Sequence, residues 1–196
     1  MPSLISEYVP QFVTGEEAAR RRRARLVVWG AAASLVALFV GIIVLAPALR
    51  ARGFMLASEV IYQSLRVACH QQAERSFHFE GFPLAVCARC FGLYAGAAAG
   101  LVAYPLLRSL DRTDAPGRAW LLAAALPTSV DFALGVLGVW ENTHLSRFLT
   151  ALLLGVASAF FIMPGLSDLV RMRFERTARR EFARGRGEGL PGGRAA

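Results

Sequence analysis

Hydrophobic and polar positions along this chain fall in long blocks rather than alternating residue by residue. Residues 26–49 are 24 consecutive positions without a charge, bounded by Arg25 and Arg50. At about 1.5 Å rise per residue, such a run crosses a hydrocarbon core of roughly 30 Å as a single helix. Three further runs have spanning length: 84–107, uncharged from Cys90 onward; 119–140, interrupted by Asp131; and 148–167, between Arg147 and Asp168. Between the first two, Phe54, Ala57, Ile61, Leu65 and Ala68 recur at helical spacing, which predicts an amphipathic helix over 54–70 lying among headgroups. The pattern therefore predicts an all-α protein, a four-transmembrane-helix bundle with an additional interfacial helix on its outer face. What remains is a basic segment 1–25, an outer loop 50–83 that carries the interfacial helix, a loop 108–118, a turn 141–147 and a basic tail 168–196. The Gly- and Arg-rich end of that tail, from 185, reads as disordered.

Composition sharpens this picture. Of 196 residues, 55% are hydrophobic and 18% charged, which excludes disordered, collagen-like and coiled-coil classes. The net charge is +8 and all 22 basic residues are arginine. They punctuate apolar runs instead of covering a soluble face, so they imply anionic lipid headgroups and no nucleic acid. Sixteen lie in the two tails and the 108–118 loop, which with four crossings places both termini on the cytoplasmic side of the cytoplasmic (inner) membrane. Five lie on the other side, Arg50, Arg52, Arg66, Arg75 and Arg147, and Arg89 sits within a span. Ala46-Pro47-Ala48 is similar to a signal-peptidase site, but the apolar run is too long for a signal peptide, so the first span reads as an uncleaved anchor. Gly92, Gly96 and Gly100 form a flat strip for a second helix, either of this chain or of a membrane-protein partner or homo-oligomer.

The chemistry gathers near the outer face. Cys69 ends the interfacial helix, and Cys87 and Cys90 open the second span. Cys87 and Cys90 are three residues apart, a spacing that suits a metal or a disulfide, and the helix N-terminus and Arg89 favour thiolates. With His70 they make a set of three cysteines and one histidine of the kind zinc favours, so Cys69, His70, Cys87 and Cys90 are the candidate metal ligands. Phe91, not histidine, follows Cys90, which argues against covalent haem attachment. Asp131 lies inside the third span and must face the bundle interior with a partner, either Arg89 or a metal-bound water, or, when protonated, neighbouring backbone or Thr128. Asp131 and Glu141 are the candidate proton acceptors. Arg89 and His144 are the candidate cofactor contacts. Phe77-His78-Phe79 reads as an interfacial aromatic segment.

These residues also resemble a family. Cys69-His70-Gln71, Arg75-Ser76-Phe77 and Val86-Cys87-Ala88-Arg89-Cys90 with Gly92, Tyr94 and Gly96, followed by Asp131, Glu141, Thr143, Arg147, Thr150 and Gly155, look like a prokaryotic family of multi-pass membrane proteins of unknown function. The resemblance runs from about 58 to 155. Ala73, Phe91, Phe132, His144 and Ala151 depart from its pattern. It implies a membrane location and a shared Cys/His site, and no activity.

Three functions fit these residues. The first is a zinc site at the extracytoplasmic face, structural if four protein ligands close it and hydrolytic if one position stays open. The second is a quinone-linked thiol-disulfide oxidoreductase using Cys87 and Cys90, with Arg89 at the quinone headgroup; its weakness is the odd third cysteine. The third is a non-enzymatic subunit of a membrane complex, with the cysteines bracing the outer loop.

Overall fold

The computed structural model describes residues 15–188, and within that range the chain is almost entirely helical. Helix α1 spans Gly15–Ala51, α2 Met55–Leu65, α3 Ala88–Leu107, α4 Arg118–Val136 and α5 His144–Glu188. Four of them, α1, α3, α4 and α5, are long and apolar enough to cross a membrane. The expected four-helix bundle with an added short helix is therefore the observed architecture. The expectations for residues 1–14 and 189–196 lie outside the described residues.

The helices at the basic end run further than the apolar runs. Helix α1 continues through Arg20–Arg25, and its 37 residues extend about 55 Å, well beyond the hydrocarbon core. Helix α5 continues through Arg171 to Glu188, so residues 185–188, expected in a disordered tail, are helical. Past the membrane the two run side by side, with the Arg21 guanidinium 5.8 Å from the Phe174 ring centroid. Arg25 pairs with Asp111, and Arg108 with Asp114 at 2.6 Å, which ties the 108–117 connection to the same end.

Helices α1, α3 and α5 pack on one another, and α4 lies on the flank of α5, burying only Asp131. The closest contact is between α3 and α5. The two run parallel, and a Cβ at Gly92 or Gly96 would stand 2.2 Å from the carbonyl oxygens of Phe148 and Leu152. A Cβ at Gly155 would likewise stand 2.2 Å from the Leu93 carbonyl. With no Cβ at these positions the backbones touch, and dispersion over a close interface replaces the hydrophobic drive that lipid cannot supply. The glycine strip expected to serve either this chain or a partner is thus occupied by α5 of the same chain. It leaves no surface there for a partner.

At the opposite end from the arginine clusters, Gly53 (φ +85°) reverses the chain so that α2 folds back on the end of α1. Ser58 Oγ donates to the Ala46 carbonyl at 2.8 Å, and Arg50 pairs with Glu59 at 2.9 Å. The inward face of α2 is Ser58, Tyr62 and Leu65 rather than the stripe through Phe54, Ala57 and Ala68, because apolar residues occupy both faces. Leu56 and Val60 point outward, as an interfacial helix requires. The helix also stops at Leu65, five residues short of the expected end. A 3-10 turn, Ala73–Arg75, and a small hairpin, β1 His78–Phe79 with β2 Phe82–Pro83, lead into α3, which begins at Ala88 rather than 84. Glu80 (φ 48°) and Gly81 (φ 83°) make the hairpin turn, both in the left-handed region that such two-residue connections need. His78 is therefore an exposed strand residue.

Gly96→Val and Gly155→Val should each destabilise the folded protein in detergent by about 3 kcal/mol, the upper end of over-packing costs. Gly41→Ala, where nothing lies within 4 Å of the added Cβ, should change stability by less than about 1 kcal/mol. Denaturant titration followed by tryptophan fluorescence separates the two outcomes; equal effects at the three positions would contradict the α3–α5 contact.

Candidate metal centre

Two segments distant in sequence bring the thiols together. After α2, backbone bonds from Ala68 and Cys69 to the Leu65 carbonyl curl the chain inward and bury Cys69 to 6% exposure. Gln71 (φ 52°) then turns it outward, and its side chain locks the turn in place: Nε2 donates to the Tyr62 carbonyl at 2.7 Å and to the Ala85 carbonyl at 2.9 Å. The second segment, Leu84, Ala85 and Val86, is buried against Ile43, Tyr62 and Leu65 and ends at Cys87, the residue before α3. Cys90 lies in the first turn of α3.

Cys69, Cys87 and Cys90 are free thiols whose sulfurs all lie within 4.8 Å of one another, with Cys87 Sγ and Cys90 Sγ 3.4 Å apart. Tetrahedral zinc with Zn–S bonds of about 2.3 Å sets its sulfurs about 3.8 Å apart, so this spacing brackets a metal centre. Cys69 Sγ accepts the Cys87 N–H at 3.2 Å and the Gln71 N–H at 3.4 Å. The neighbouring Cys87 and Cys90 thiols, followed by these two amides, hold the Cys69 thiol far below its ordinary range, against the opposing effect of burial. These contacts favour the anionic form of the Cys69 sulfur, and the α3 N-terminus adds a favourable field.

His70 does not join the three sulfurs. It is exposed and stands outside the convergent group, because the inward curl that buries Cys69 directs the next residue outward. It does line the same cavity. That cavity, of about 340 Å³, is walled by the three cysteines, by Ala68, His70, Gln71, Gln72 and Phe132, and by Arg75, Arg89 and Arg147.

Asp131 is buried to 9% exposure and pairs with Arg89, as one of the sequence alternatives had it. The bond to Thr128 is not made: the Thr128 hydroxyl has no partner. Ser146 Oγ donates to Asp131 Oδ1 at 2.9 Å, and Asn142 Nδ2 donates to the Asp131 backbone carbonyl. Both carboxylate oxygens are thus engaged, and the residue positions Arg89 instead of standing free as a base. Arg89 also lies over the Phe132 ring at 5.3 Å. Glu141 is exposed in the α4–α5 turn and is not part of the cavity wall. His144 is turned away as well: its Nε2 lies 3.0 Å from the Glu74 carbonyl and its ring packs on Phe77. With Phe91 and Phe148 these rings close the side of the site next to α5.

Sequence reasoning quoted Gln71, Arg75 and Arg147 in the family pattern but gave none of them a role at the site. The signal for the arginines was their location, since both lie on the side of the membrane expected to be poor in arginine. For Gln71 the signal was its place in the Cys69-His70-Gln71 block, which does not show what its amide holds.

A family model described as predicted membrane protein (DUF2085) matches residues 69–161, which span the whole site and the α3–α5 contact. An uncharacterised protein of Methanocaldococcus jannaschii, MJ1492, is 34% identical over 115 residues, covering 59% of this chain and 74% of that one. An uncharacterised protein of Methanothermobacter thermautotrophicus is 33% identical over 100 residues, covering 51% of this chain and 88% of its own. The chain belongs to this family of membrane proteins. No solved structure matches it.

Breaking a largely buried ion pair from one side leaves an uncompensated charge, so Asp131→Asn should cost about 3 kcal/mol. Arg89→Met combined with Asp131→Leu should recover most of that loss. Unfolding of the three proteins in detergent checks this; a double variant no more stable than the single would show that the pair does more than neutralise itself. Gln71→Ala should cost about 2 kcal/mol through its two lost hydrogen bonds and should accelerate alkylation of Cys69.

Proposed function

We propose that the protein is a zinc-binding membrane protein in which Cys69, Cys87 and Cys90 hold the ion at the extracytoplasmic end of the bundle and its fourth position faces the cavity. The observation that carries this reading is the convergence of three sulfurs on a solvent-accessible cavity, with no fourth His, Cys, Asp or Glu donor joining them among the described residues. Sulfur donors in this number select zinc and other thiophilic ions over magnesium or calcium. Three protein ligands with one position open is the arrangement of catalytic zinc, where the ion polarises a substrate oxygen or lowers the pKa of water. The structural version expected from four ligands loses its support with His70 outside the group. His70 in the cavity wall is the imidazole placed to accept a proton there, a role for which Asp131 is already committed and Glu141 is too remote.

The arginine distribution supports an orientation with both termini cytoplasmic and the thiols outside. Arg20–Arg25 and the arginines of α5 from 171 onward extend one end of the bundle, and the cysteines lie at the other. The cytoplasmic membrane of a prokaryote is the setting this implies.

Anaerobic purification in mild detergent, with elemental analysis and thiol counting, tests the proposal. About one zinc per chain is expected. Cys69→Ser, Cys87→Ser and Cys90→Ser should each lose it, and His70→Ala should keep it. Less than about 0.2 metal per chain in protein with all three thiols intact would overturn the reading. Metal-free protein that accumulates a reducible Cys87–Cys90 disulfide would support the quinone-linked redox reading in its place.

A further inference from the structure

Three guanidiniums face the cavity beside the thiols, and only one of them is neutralised. Arg89 pairs with Asp131. Arg75, on the 3-10 turn, and Arg147, in the first turn of α5, have no carboxylate within salt-bridge distance among the described residues. This is an expensive arrangement. Arg147 is half-buried with no carboxylate paired to it, Asp131 and Cys87 offsetting only part of the cost of its burial beside Arg75 and Arg89, and a cation in the first turn of a helix opposes the macrodipole. Because α3 and α5 are parallel, the positive ends of both helices meet at this cavity and add to the same field. Arg75 and Arg147 also lie at the end of the bundle where membrane proteins carry fewest arginines, so membrane insertion does not call for them.

We propose that the cavity lined by Arg75, Arg89 and Arg147 binds the phosphoryl group of a phosphomonoester, with Arg75 and Arg147 as its principal contacts. The charge selects the ligand. Two unpaired guanidiniums match a group carrying between about −1.5 and −2 at neutral pH, where a carboxylate would leave one of them uncompensated. Guanidinium forks also take phosphate oxygens in pairs, which the compact ammonium of lysine does not. The volume, about 340 Å³, is at the small end of ligand sites and admits a headgroup or a small phosphorylated metabolite. Two sources present that group at a membrane face: a soluble phosphomonoester, or a lipid whose headgroup is a terminal phosphate. The argument rests on the arginines and the cavity and does not require the zinc ion.

The test measures binding to the full chain as purified, with metal content determined on the same samples. One arm titrates inorganic phosphate into protein in detergent. The other compares nanodiscs of phosphatidylcholine with nanodiscs doped with phosphatidic acid. Saturable binding is expected in at least one arm, weakened at least about 10-fold in Arg75→Gln/Arg147→Gln at unchanged metal content. Arg66→Gln, an exposed arginine on the same side but outside the cavity wall, should bind as the parent does. Should the double variant fail to fold, Arg75→Gln alone, on an exposed turn, should weaken binding about 3-fold or more at an unchanged melting temperature. Binding in the phosphate arm identifies a soluble ligand, and binding confined to phosphatidic acid identifies a lipid. Binding in neither arm, or equal affinity in the arginine variants, overturns the proposal. Parent protein with its thiols intact that carries no zinc yet binds phosphate would overturn the metal reading and leave this one standing.

Discussion

Everything at the thiol end depends on how closely α3 and α5 approach. In hydrocarbon no water is released by bringing two apolar helices together, so a stable pair needs backbone-to-backbone contact. Gly92, Gly96 and Gly155 provide it, since a Cβ at any of them would collide with a main-chain carbonyl of the other helix. The contact also sets direction. Two parallel helices bring both N-termini to one end, and there Arg89 and Cys90 from α3, with Cys87 just before it, meet Ser146 and Arg147 from α5. An antiparallel pair would separate them by the thickness of the membrane.

The third thiol arrives by a different route. Cys69 is held by a short, irregular stretch that has no membrane-spanning requirement of its own. Its position rests on a few directional bonds: the Gln71 amide to two carbonyls, and two backbone N–H groups to the sulfur. Buried apolar residues on α1, α2 and the approach to α3 back this stretch. The site thus joins a rigid half, fixed by helix packing, to a half fixed by hydrogen bonds, and the cavity lies where the two meet. Electrostatics is divided in the same way. Asp131 neutralises Arg89 in the membrane, and the outer arginines face the cavity unpaired.

The long elements were legible because the physics that makes them is a matter of composition. Twenty apolar residues in a row can only span, and the run from Leu26 shows α1 without further help. The convergence of the three cysteines followed from topology, and the Arg89–Asp131 pair from the cost of a carboxylate in a span. What was hidden depends on single directions. Helix α5 continues through the arginines because propensity, unlike hydropathy, does not change at the membrane surface. The hairpin of Phe79 and Phe82 was missed because Glu80-Gly81 is a weak turn signal beside Asn-Gly. His70 was counted as a ligand from its place beside Cys69, yet adjacent residues leave a turn on opposite sides. Arg75 and Arg147, 72 positions apart, acquire a shared role only through the docking of α5 against α3.

X-ray absorption at the zinc edge of protein loaded without oxygen addresses the centre most directly. Three sulfurs at about 2.3 Å and one lighter ligand at about 2.0 Å are expected from Cys69, Cys87 and Cys90 with an open position. A first shell of nitrogen and oxygen alone, or protein with intact thiols that retains no zinc, would contradict a three-cysteine metal centre.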